Sequence, residues 1–356
     1  MNVGPEQVIR EDVREGAAYA VASAEGRVKL DAMENPYSLP EALQREIAEL
    51  IGGAALNRYP DPRAPALRAR LRQVMRVPDR YELLLGNGSD EIIHMLVQAV
   101  ARPGAVVMAP SPTFVMYKVY AGFASLRFVA VPLARDFSLD RDAFLAAVRE
   151  ARPALVFLSY PNNPTGNLFD DAAIAAVVEA APGLVVIDEA YHPFAQQTWL
   201  PRLDEFRNLL VLRTVSKLGL AGLRLGFLVG RAEWIREIDK LRSPYNVGVL
   251  TQLVAERLLA HDDVLEAQAA ALRADRDALL RSLGALPGVT PFPSRANFVL
   301  ARVPGAPAVF ERLKARGVLV KLMHGGDPLL ADCLRLTVGT AGENRILLDA
   351  LRESLR

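Results

Sequence analysis

The chain has 356 residues, of which 51% are hydrophobic, and this is enough apolar material for two domains of ordinary size. Its 42 basic and 41 acidic residues leave a formal net charge of +1, which excludes the basic field that drives nucleic-acid binding. We therefore expect small-molecule partners and no nucleic acid.

The compartment is predicted from cysteine content and from the apolar segments. Cys333 is the only cysteine, so neither an intrachain disulfide nor a cysteine-based zinc site can form. Residues 1–16 are rich in charge and lack the apolar core of a signal peptide, and no later stretch reaches the ~18 uncharged apolar residues of a membrane span. The 4 histidines show no metal-ligand spacing. These features predict a cytoplasmic protein with no metal site and no membrane segment.

Between about residues 81 and 230, short apolar runs alternate with segments of helical length. Runs that are apolar throughout are typical of strands covered on both faces, in a largely parallel sheet whose crossovers are helices. The sequence therefore predicts a large α/β domain. The predicted strands are 81–85, 106–109, 126–131, 155–159, 184–187, 209–212 and 225–229.

After residue 245 the pattern changes to long helices followed by short strands. The first 45 residues have no α/β rhythm and are expected to pack on this C-terminal lobe. We therefore expect a large domain over 46–245 and a smaller α/β domain formed by 1–45 and 246–356. The helices are predicted over 249–260 and 263–283, and the short strands near 297–301, 318–321 and 334–338.

Gly88, Ser89 and Asp90 follow the first predicted strand and begin a helix. The free N–H groups and the positive dipole of that first turn can hold a phosphate group. Phe114 follows the next strand, at the sheet edge where α/β proteins bind ligands, and can stack on a cofactor ring. Taken alone, Ser89 would be an ordinary helix cap and Phe114 a core aromatic.

Asp188 ends the apolar run 184–187, where a desolvated carboxylate needs a partner. A protonated pyridine nitrogen is such a partner, and the ion pair keeps the ring an electron sink. Tyr191 on the same loop and Asn163, in a turn after an earlier strand, can donate to a phenolic oxygen. A structural ion pair for Asp188 and a purely turn-forming Asn163 are the alternatives.

Lys217 follows the apolar run 209–212 at the same edge of the predicted sheet. Enclosure lowers the pKa of a lysine amine, as a Schiff-base lysine requires. Thr214, Ser216 and Arg224 flank it and can complete an anion site, Arg224 by bidentate contact. Together these residues predict pyridoxal 5′-phosphate (PLP) as cofactor. They supply what PLP needs: a site for its phosphate, an aromatic face for its ring, donors to its phenolic oxygen, a carboxylate for its pyridine nitrogen and a lysine for its aldehyde.

On these residues the chain resembles the fold-type I PLP-dependent aminotransferases, and the resemblance covers nearly its whole length. It implies a large domain whose mostly parallel sheet is sandwiched by helices, and a smaller α/β domain. It also implies amino transfer between L-glutamate or 2-oxoglutarate and the pair histidinol phosphate and imidazole-acetol phosphate, in L-histidine biosynthesis. An aromatic amino-acid aminotransferase and a threonine-phosphate decarboxylase are the alternatives. The matching segments are 30–37, 57–61, 86–91, 160–166 and 334–339.

The resemblance assigns roles as well. Lys217 would carry the cofactor as a Schiff base, with Asp188 on the pyridine nitrogen and Tyr191 as a further catalytic group. Tyr59 would reach the cofactor phosphate from the other subunit of a homodimer with shared active sites. The implied substrate-binding residues are Arg335 for the common anionic group, Arg345 and Tyr19 for a substrate phosphate, and Asn35 in the N-terminal segment.

The chain departs from the family pattern at three positions. Arg224 follows Lys217 by seven residues where the family usually has eight, so the loop between them must be shorter. Phe114 stands where a tyrosine is common, which keeps the stacking surface without a hydroxyl. Met33 replaces an asparagine in the segment that precedes Asn35.

Overall fold

The computed structural model describes residues 3–16 and 22–356. The strands are β1 (Val28–Lys29), β2 (Glu82–Asn87), β3 (Val106–Ser111), β4 (Arg127–Pro132), β5 (Leu155–Ser159), β6 (Leu184–Asp188), β7 (Leu209–Thr214), β8 (Leu225–Gly230), β9 (Thr290–Pro291), β10 (Phe298–Arg302), β11 (Val318–Leu319), β12 (Lys321–Leu322) and β13 (Cys333–Thr337). The helices are α1 (Pro5–Val8), α2 (Glu11–Arg14), α3 (Glu41–Gly52), α4 (Pro65–Val74), α5 (Gly88–Ala99), α6 (Met116–Phe123), α7 (Arg141–Ala151), α8 (Asp171–Ala180), α9 (His192–Ala195), α10 (Ala232–Asp239), α11 (Val249–Leu259), α12 (Asp262–Gly284), α13 (Ala306–Ala315) and α14 (Ala341–Ser354).

A sheet of 7 strands, in the order β2-β8-β7-β6-β5-β3-β4, forms the centre of the larger part of the molecule. Every predicted strand between residues 81 and 230 is present in it, with bounds that differ by at most two residues. All neighbouring strands are parallel except β8, which is antiparallel to both β2 and β7. The predicted mostly parallel sheet is therefore confirmed.

Helices cover both faces of this sheet, which explains why its strands are apolar without alternation. In β5, Val156 and Leu158 pack toward α4, α7 and α8, whereas Leu155 and Phe157 pack toward α5 and α6. All four side chains are fully buried. The sheet therefore lies between two layers of helix and exposes its polar residues only at the strand ends.

The C-terminal part forms a second sheet, with the strand order β12-β13-β10-β9, whose core includes Phe298 and Leu336. The N-terminal β1 pairs in parallel with β11 in a separate sheet of two strands, so residues 28–29 lie against the C-terminal part of the chain. The exact division into 46–245 against 1–45 and 246–356 stays a prediction. Val254 and Leu258 of α11 pack with Leu67 of α4, which favours a later boundary, near α12.

The longest helix of the described residues, α12, links the two lobes. Leu265, Leu272 and Leu279 recur every seven residues along its buried side, and charged residues occupy much of the remainder. Within residues 3–16 and 22–356, no helix is long and apolar enough to cross a membrane. The same part of the chain holds no cluster of three or more His, Cys, Asp or Glu side chains arranged for a metal ion.

Candidate active site

A cleft of about 530 Å³ opens at the edge of the central sheet where its parallel strands end. Strand β8 runs in the opposite direction, so its first residue, Leu225, lies at this edge and pairs with Asn87 at the end of β2. Arg224, which directly precedes β8, therefore lies at the same edge. Most residues predicted from the sequence to bind the cofactor line this cleft: Ser89, Asp90, Phe114, Asn163, Asp188, Tyr191, Thr214, Ser216, Lys217 and Arg224.

Asp188, the last residue of β6, is 3% exposed and presents its carboxylate to the cleft. Its Oδ2 accepts a hydrogen bond from the Tyr117 hydroxyl at 2.6 Å, and its Oδ1 accepts one from the Ala190 N–H at 3.0 Å. Burial raises the pKa of this carboxyl to about 6, while the Tyr117 and Ala190 hydrogen bonds act in the opposite direction. The carboxylate is costly where it lies unless a cation joins it from the cleft.

Glu189, the next residue, turns away from the cleft into the core. Its Oε2 accepts from Arg213 Nε at 2.9 Å and Nη2 at 2.8 Å, and its Oε1 accepts from the Trp199 N–H and the Thr198 hydroxyl. Both charged side chains are at most 5% exposed. This buried ion pair fixes the backbone that carries Asp188 and Tyr191.

Lys217 enters the cleft from a short 3-10 helix, Ser216–Leu218, directly after β7. Its Nζ donates to the Ala32 carbonyl oxygen at 3.0 Å and lies 5.9 Å from the centre of the Tyr191 ring. Burial, and then the Arg335 guanidinium, lower the pKa of the amine to about 8. About a tenth of this amine is therefore neutral at pH 7, far more than for an ordinary lysine, and the neutral form is the one that acts as a nucleophile or base.

One end of the cleft is built for an anion. The first turn of α5 begins at Gly88, Ser89 lines the cleft, and Arg224 Nη2 lies 3.3 Å from Asp90 Oδ2. Gly88 has φ +80°, and a Cβ there would come within 2.6 Å of the Arg224 guanidinium. Gly226 is equally constrained, since its Cβ would lie 2.5 Å from the Ser89 nitrogen. The two glycines let strand, helix and guanidinium meet.

The shortened loop between Lys217 and Arg224 still returns Arg224 to the cleft. Gly219 and Arg224 both adopt the left-handed conformation, with φ +111° and +49°. A non-glycine residue in this region carries backbone strain, which is typical of functional positions. Thr214 and Ser216 support the turn, since their hydroxyls are 2.9 Å apart and the Ser216 N–H donates to Thr214 Oγ1 at 3.1 Å.

Arg335 lies on β13, beside the cofactor cleft, and lines a second, adjoining cavity of about 1030 Å³. Its Nη1 donates to Asn163 Oδ1 at 2.6 Å and its Nη2 to the Asp31 carbonyl oxygen at 3.0 Å. Met33 lines both cavities, so they are neighbours. This arrangement places a buried guanidinium where a substrate anion can reach both it and the region around Lys217.

Among the described residues, Tyr59, Asn35 and Arg345 line neither cavity. Tyr59 is 80% exposed and stacks on Tyr245 at 4.4 Å, and Arg345 is exposed on α14, on the side opposite its buried leucines. The Asn35 amide instead bonds Gln268 and the Tyr37 N–H. The expected roles of Asn35 and Arg345 thus have no contact in support, and Tyr19 lies outside the described residues.

Sequence reasoning missed several residues of the cleft region. Tyr117 contacts Asp188 and stands three positions after Phe114, which is one helical turn and was the available signal. Ser159, the last residue of β5, lines the cleft like the other strand ends. Met33 lines it with φ +54°, held by a hydrogen bond from its N–H to Thr337 Oγ1. The sequence placed Met33 in the family-like segment 30–37 but predicted no role for it.

These residues fit the PLP predicted from the sequence. The buried Asp188 needs a cation, the α5 N-terminus with Ser89 and Arg224 suits a phosphate, and the Lys217 amine faces the same space. Phe114 offers an aromatic face in the lining. The donor set therefore matches each polar group of PLP with a residue of opposite character.

Comparisons with known proteins agree with this geometry. The family model described as aminotransferase class I and II matches residues 25–351. A protein named histidinol-phosphate aminotransferase 2, from Cupriavidus pinatubonensis, is 58% identical over 356 residues, or 99% of this chain and 97% of that protein. The crystal structure of histidinol-phosphate aminotransferase from Sinorhizobium meliloti with pyridoxal-5′-phosphate has a TM-score of 0.87 at 25% identity, covering 98% of both chains. An L-threonine-O-3-phosphate decarboxylase from Porphyromonas gingivalis, at 20% identity and a TM-score of 0.78 over 92% of this chain and 99% of its own, shares the fold.

Proposed function

The chain belongs to the class I and II aminotransferases, and we propose that it transfers an amino group between L-glutamate and imidazole-acetol phosphate. The products are 2-oxoglutarate and histidinol phosphate, and the pathway is L-histidine biosynthesis. The observation that carries the reaction type is the meeting of Lys217 and Asp188 in one cleft. Near full-length identity of 58% to a relative named for histidinol phosphate supports the substrate.

PLP is the cofactor of this reaction, and when bound it supplies the electron sink that stabilises charge left on the substrate carbon. Asp188 would hold the pyridine nitrogen, and Tyr191 and Asn163 the phenolic oxygen. Ser89, Ser216 and Arg224 would hold the phosphate, with Gly88, Asp90 and Thr214 shaping that site. Burial raises the pKa of Tyr191, so its hydroxyl stays protonated and able to donate.

Lys217 is the group that moves protons. With a pKa of about 8, its Nζ can take a proton from the substrate α-carbon and return one without a large energetic mismatch in either direction. The surrounding burial limits competing proton exchange with water. The same amine moves the proton in both half-reactions, and the direction of transfer in the second is the reverse of that in the first.

Arg335 would bind the anionic group common to both substrates. Glutamate presents its α-carboxylate, whereas histidinol phosphate has no carboxylate and presents its phosphate. The two hydrogen bonds of Arg335 to Asn163 and Asp31 fix the direction of its guanidinium. One buried guanidinium that lines the adjoining cavity can therefore serve both half-reactions.

The active form is proposed to be a homodimer in which Tyr59 completes the phosphate site of the partner. Tyr59 is 80% exposed in the single chain and rigidified by its stacking on Tyr245, which suits a residue that acts across an interface. A cytoplasmic location stays a prediction from the sequence.

The test is a comparison of amino donors and products. Purified protein should convert histidinol phosphate with 2-oxoglutarate to glutamate, with a kcat/KM well above those for phenylalanine and tyrosine. Efficient use of phenylalanine would favour the aromatic aminotransferase. Release of carbon dioxide from threonine phosphate, with no need for a 2-oxo acid, would instead identify the decarboxylase.

A further inference from the structure

The hydroxyl of Tyr117 makes a direct contact with the carboxylate at the base of the cofactor cleft. Tyr117 lies in the first turn of α6, and its Oη donates to Asp188 Oδ2 at 2.6 Å. Its ring is fully buried and stacks in parallel on Phe157, at 4.4 Å between centroids and 2° between planes. The Phe114 ring meets the Tyr117 ring edge-on, with 5.5 Å between centroids. The phenol is thus fixed in one orientation.

A phenylalanine would satisfy all of this packing. Burial of the ring in apolar surroundings is favourable, but a buried hydroxyl costs free energy unless it is hydrogen-bonded. Here its partner is the carboxylate expected to face the pyridine nitrogen of PLP. Phenylalanine would therefore stabilise the core about as well as tyrosine. The main effect of the Tyr117 hydroxyl is on the Asp188 carboxylate.

We propose that Tyr117 is a positioning residue for cofactor binding, whose hydroxyl orients the Asp188 carboxylate and keeps it ionised for the pyridine nitrogen. The proposal concerns the cofactor and is independent of which amine is the substrate. Each oxygen of Asp188 receives one donor from the protein, Oδ1 from the Ala190 N–H and Oδ2 from Tyr117. These two bonds fix the carboxylate plane, and the remaining lone pairs are available to a group in the cleft.

Other groups around Asp188 oppose its ionisation, so the Tyr117 contact matters more. Burial is the largest influence that raises the Asp188 pKa, and the negative charges of Asp90 on α5 and Glu189 on its own loop add to it. The cations near the cleft are Lys217, Arg224 and Arg335, while Arg213 pairs with Glu189. Removing the Tyr117 donor would raise the pKa of Asp188 above its present value of about 6.

The decisive measurement is the dissociation constant of PLP from the apoprotein, followed by fluorescence quenching between about pH 5.5 and 8.5. In Tyr117→Phe, PLP should bind about 10-fold more weakly at pH 7, the scale of one hydrogen bond to a charged group. Affinity falls on the acid side as Asp188 becomes protonated, and in the variant this fall should move to higher pH by about one unit. The protonation of free PLP depends on pH in the same way in both experiments, so its contribution cancels when the two pH profiles are compared.

Tyr160→Phe is the matched control. Tyr160 is also a buried tyrosine whose hydroxyl donates to a carboxylate, Asp171 at 3.0 Å, but it lies outside the cofactor cleft. That variant should leave the PLP dissociation constant and its pH profile unchanged. If Tyr117→Phe gives the same affinity and profile as Tyr160→Phe and the native protein, the proposal is overturned.

A double-mutant cycle separates the hydrogen bond from ring packing. In an Asp188→Ala background the hydroxyl has lost its carboxylate partner, so Tyr117→Phe should change PLP affinity by less than about 2-fold. An equal loss in both backgrounds would assign the effect to packing and overturn the proposal. Should Tyr117→Phe fail to fold, replacement of Tyr117 by 3-fluorotyrosine keeps the ring and makes the hydroxyl a stronger donor. The acid-side fall should then move to lower pH, and no shift would overturn the proposal.

Discussion

The Arg335 guanidinium donates to Asn163 Oδ1 at 2.6 Å and thereby joins the C-terminal sheet to the loop after β5. One residue of this pair is expected to hold the substrate anion and the other the cofactor. A substrate that binds Arg335 therefore acts on a side chain in direct contact with the cofactor site. This contact gives binding at the second cavity a route to the orientation of the cofactor.

Lys217 is expected to be the only lysine that forms a covalent bond with PLP, because its amine is buried in the cleft and its pKa is lowered to about 8. Borohydride reduction of the holoenzyme followed by peptide mass spectrometry should find the cofactor on the peptide containing Lys217. Lys217→Ala should give no labelled peptide. Labelling of Lys118, Lys240 or Lys321 in the native protein would contradict the assignment.

Asp188→Asn is expected to fold and bind PLP but to lose at least about 100-fold in kcat. A neutral amide cannot keep the pyridine nitrogen protonated, and a loss of two pKa units of support corresponds to about 2.7 kcal/mol. Single-turnover rates with glutamate, at PLP concentrations that saturate the variant, would measure the effect. Near-native turnover would exclude this role for Asp188.

The same substitution should stabilise the apoprotein near neutral pH. Burial raises the folded-state pKa of Asp188 from 3.8 to about 6, so the stability supplied by its protonation is complete below pH 3.8 and is lost as the pH rises through 6. Asparagine does not ionise and avoids this loss, which is at most about 3 kcal/mol. Urea unfolding of apo Asp188→Asn should show greater stability than the native apoprotein at pH 7, and little difference near pH 4. A native protein that is the more stable at pH 7 would argue against a desolvated carboxylate.

Arg335→Ala should weaken both glutamate and histidinol phosphate, by about 10- to 100-fold in kcat/KM, since a charge-assisted contact contributes about 1.5 to 3 kcal/mol. Arg345→Ala is the control, because Arg345 is exposed on α14 and lines neither cavity. It should leave both substrates within about 2-fold of the native values. A selective loss of activity with histidinol phosphate in Arg345→Ala would support the phosphate-binding role that the sequence predicted.

Tyr59 is expected to act across a homodimer interface. Lys217→Ala and Tyr59→Phe chains, each impaired alone, should recover activity when they are unfolded and refolded together, because mixed dimers then contain one intact site. With equal amounts and random pairing, half of the dimers are mixed and each has one intact site of two, so the specific activity should approach about 25% of the native value. Sedimentation should show a dimer, and an active monomer would contradict the proposal.

Much of the fold was predictable because the strands of the central sheet are buried on both faces and their apolar runs have no other simple explanation. The polar residues near the strand ends were predictable for the same reason, since Asp188 ends one apolar run and Lys217 follows shortly after another. Tyr117 was missed because an aromatic one turn after Phe114 looks like helix core, and only the fold brings Asp188 against its hydroxyl.

Contacts between distant parts of the chain were beyond the sequence. The hydrogen bond from Arg335 to Asn163 joins residues that are 172 positions apart in the sequence, and no local sequence pattern at either residue predicts it. The exposure of Arg345 could not be predicted either, because the sequence shows a charged helix without its rotation. The buried side of α14, with Leu347, Leu348 and Leu351, turns Arg345 toward solvent.

The buried pair of Glu189 and Arg213 limits how this protein can change by mutation. Loss of either partner leaves an uncompensated charge in the core, at a cost of about 3 to 5 kcal/mol, which is a large part of the roughly 5 to 15 kcal/mol that keeps a domain folded. An apolar replacement is tolerable only if both residues change together. The loop bearing Asp188 and Tyr191 is thus protected from single-step variation by two side chains that never meet the substrate.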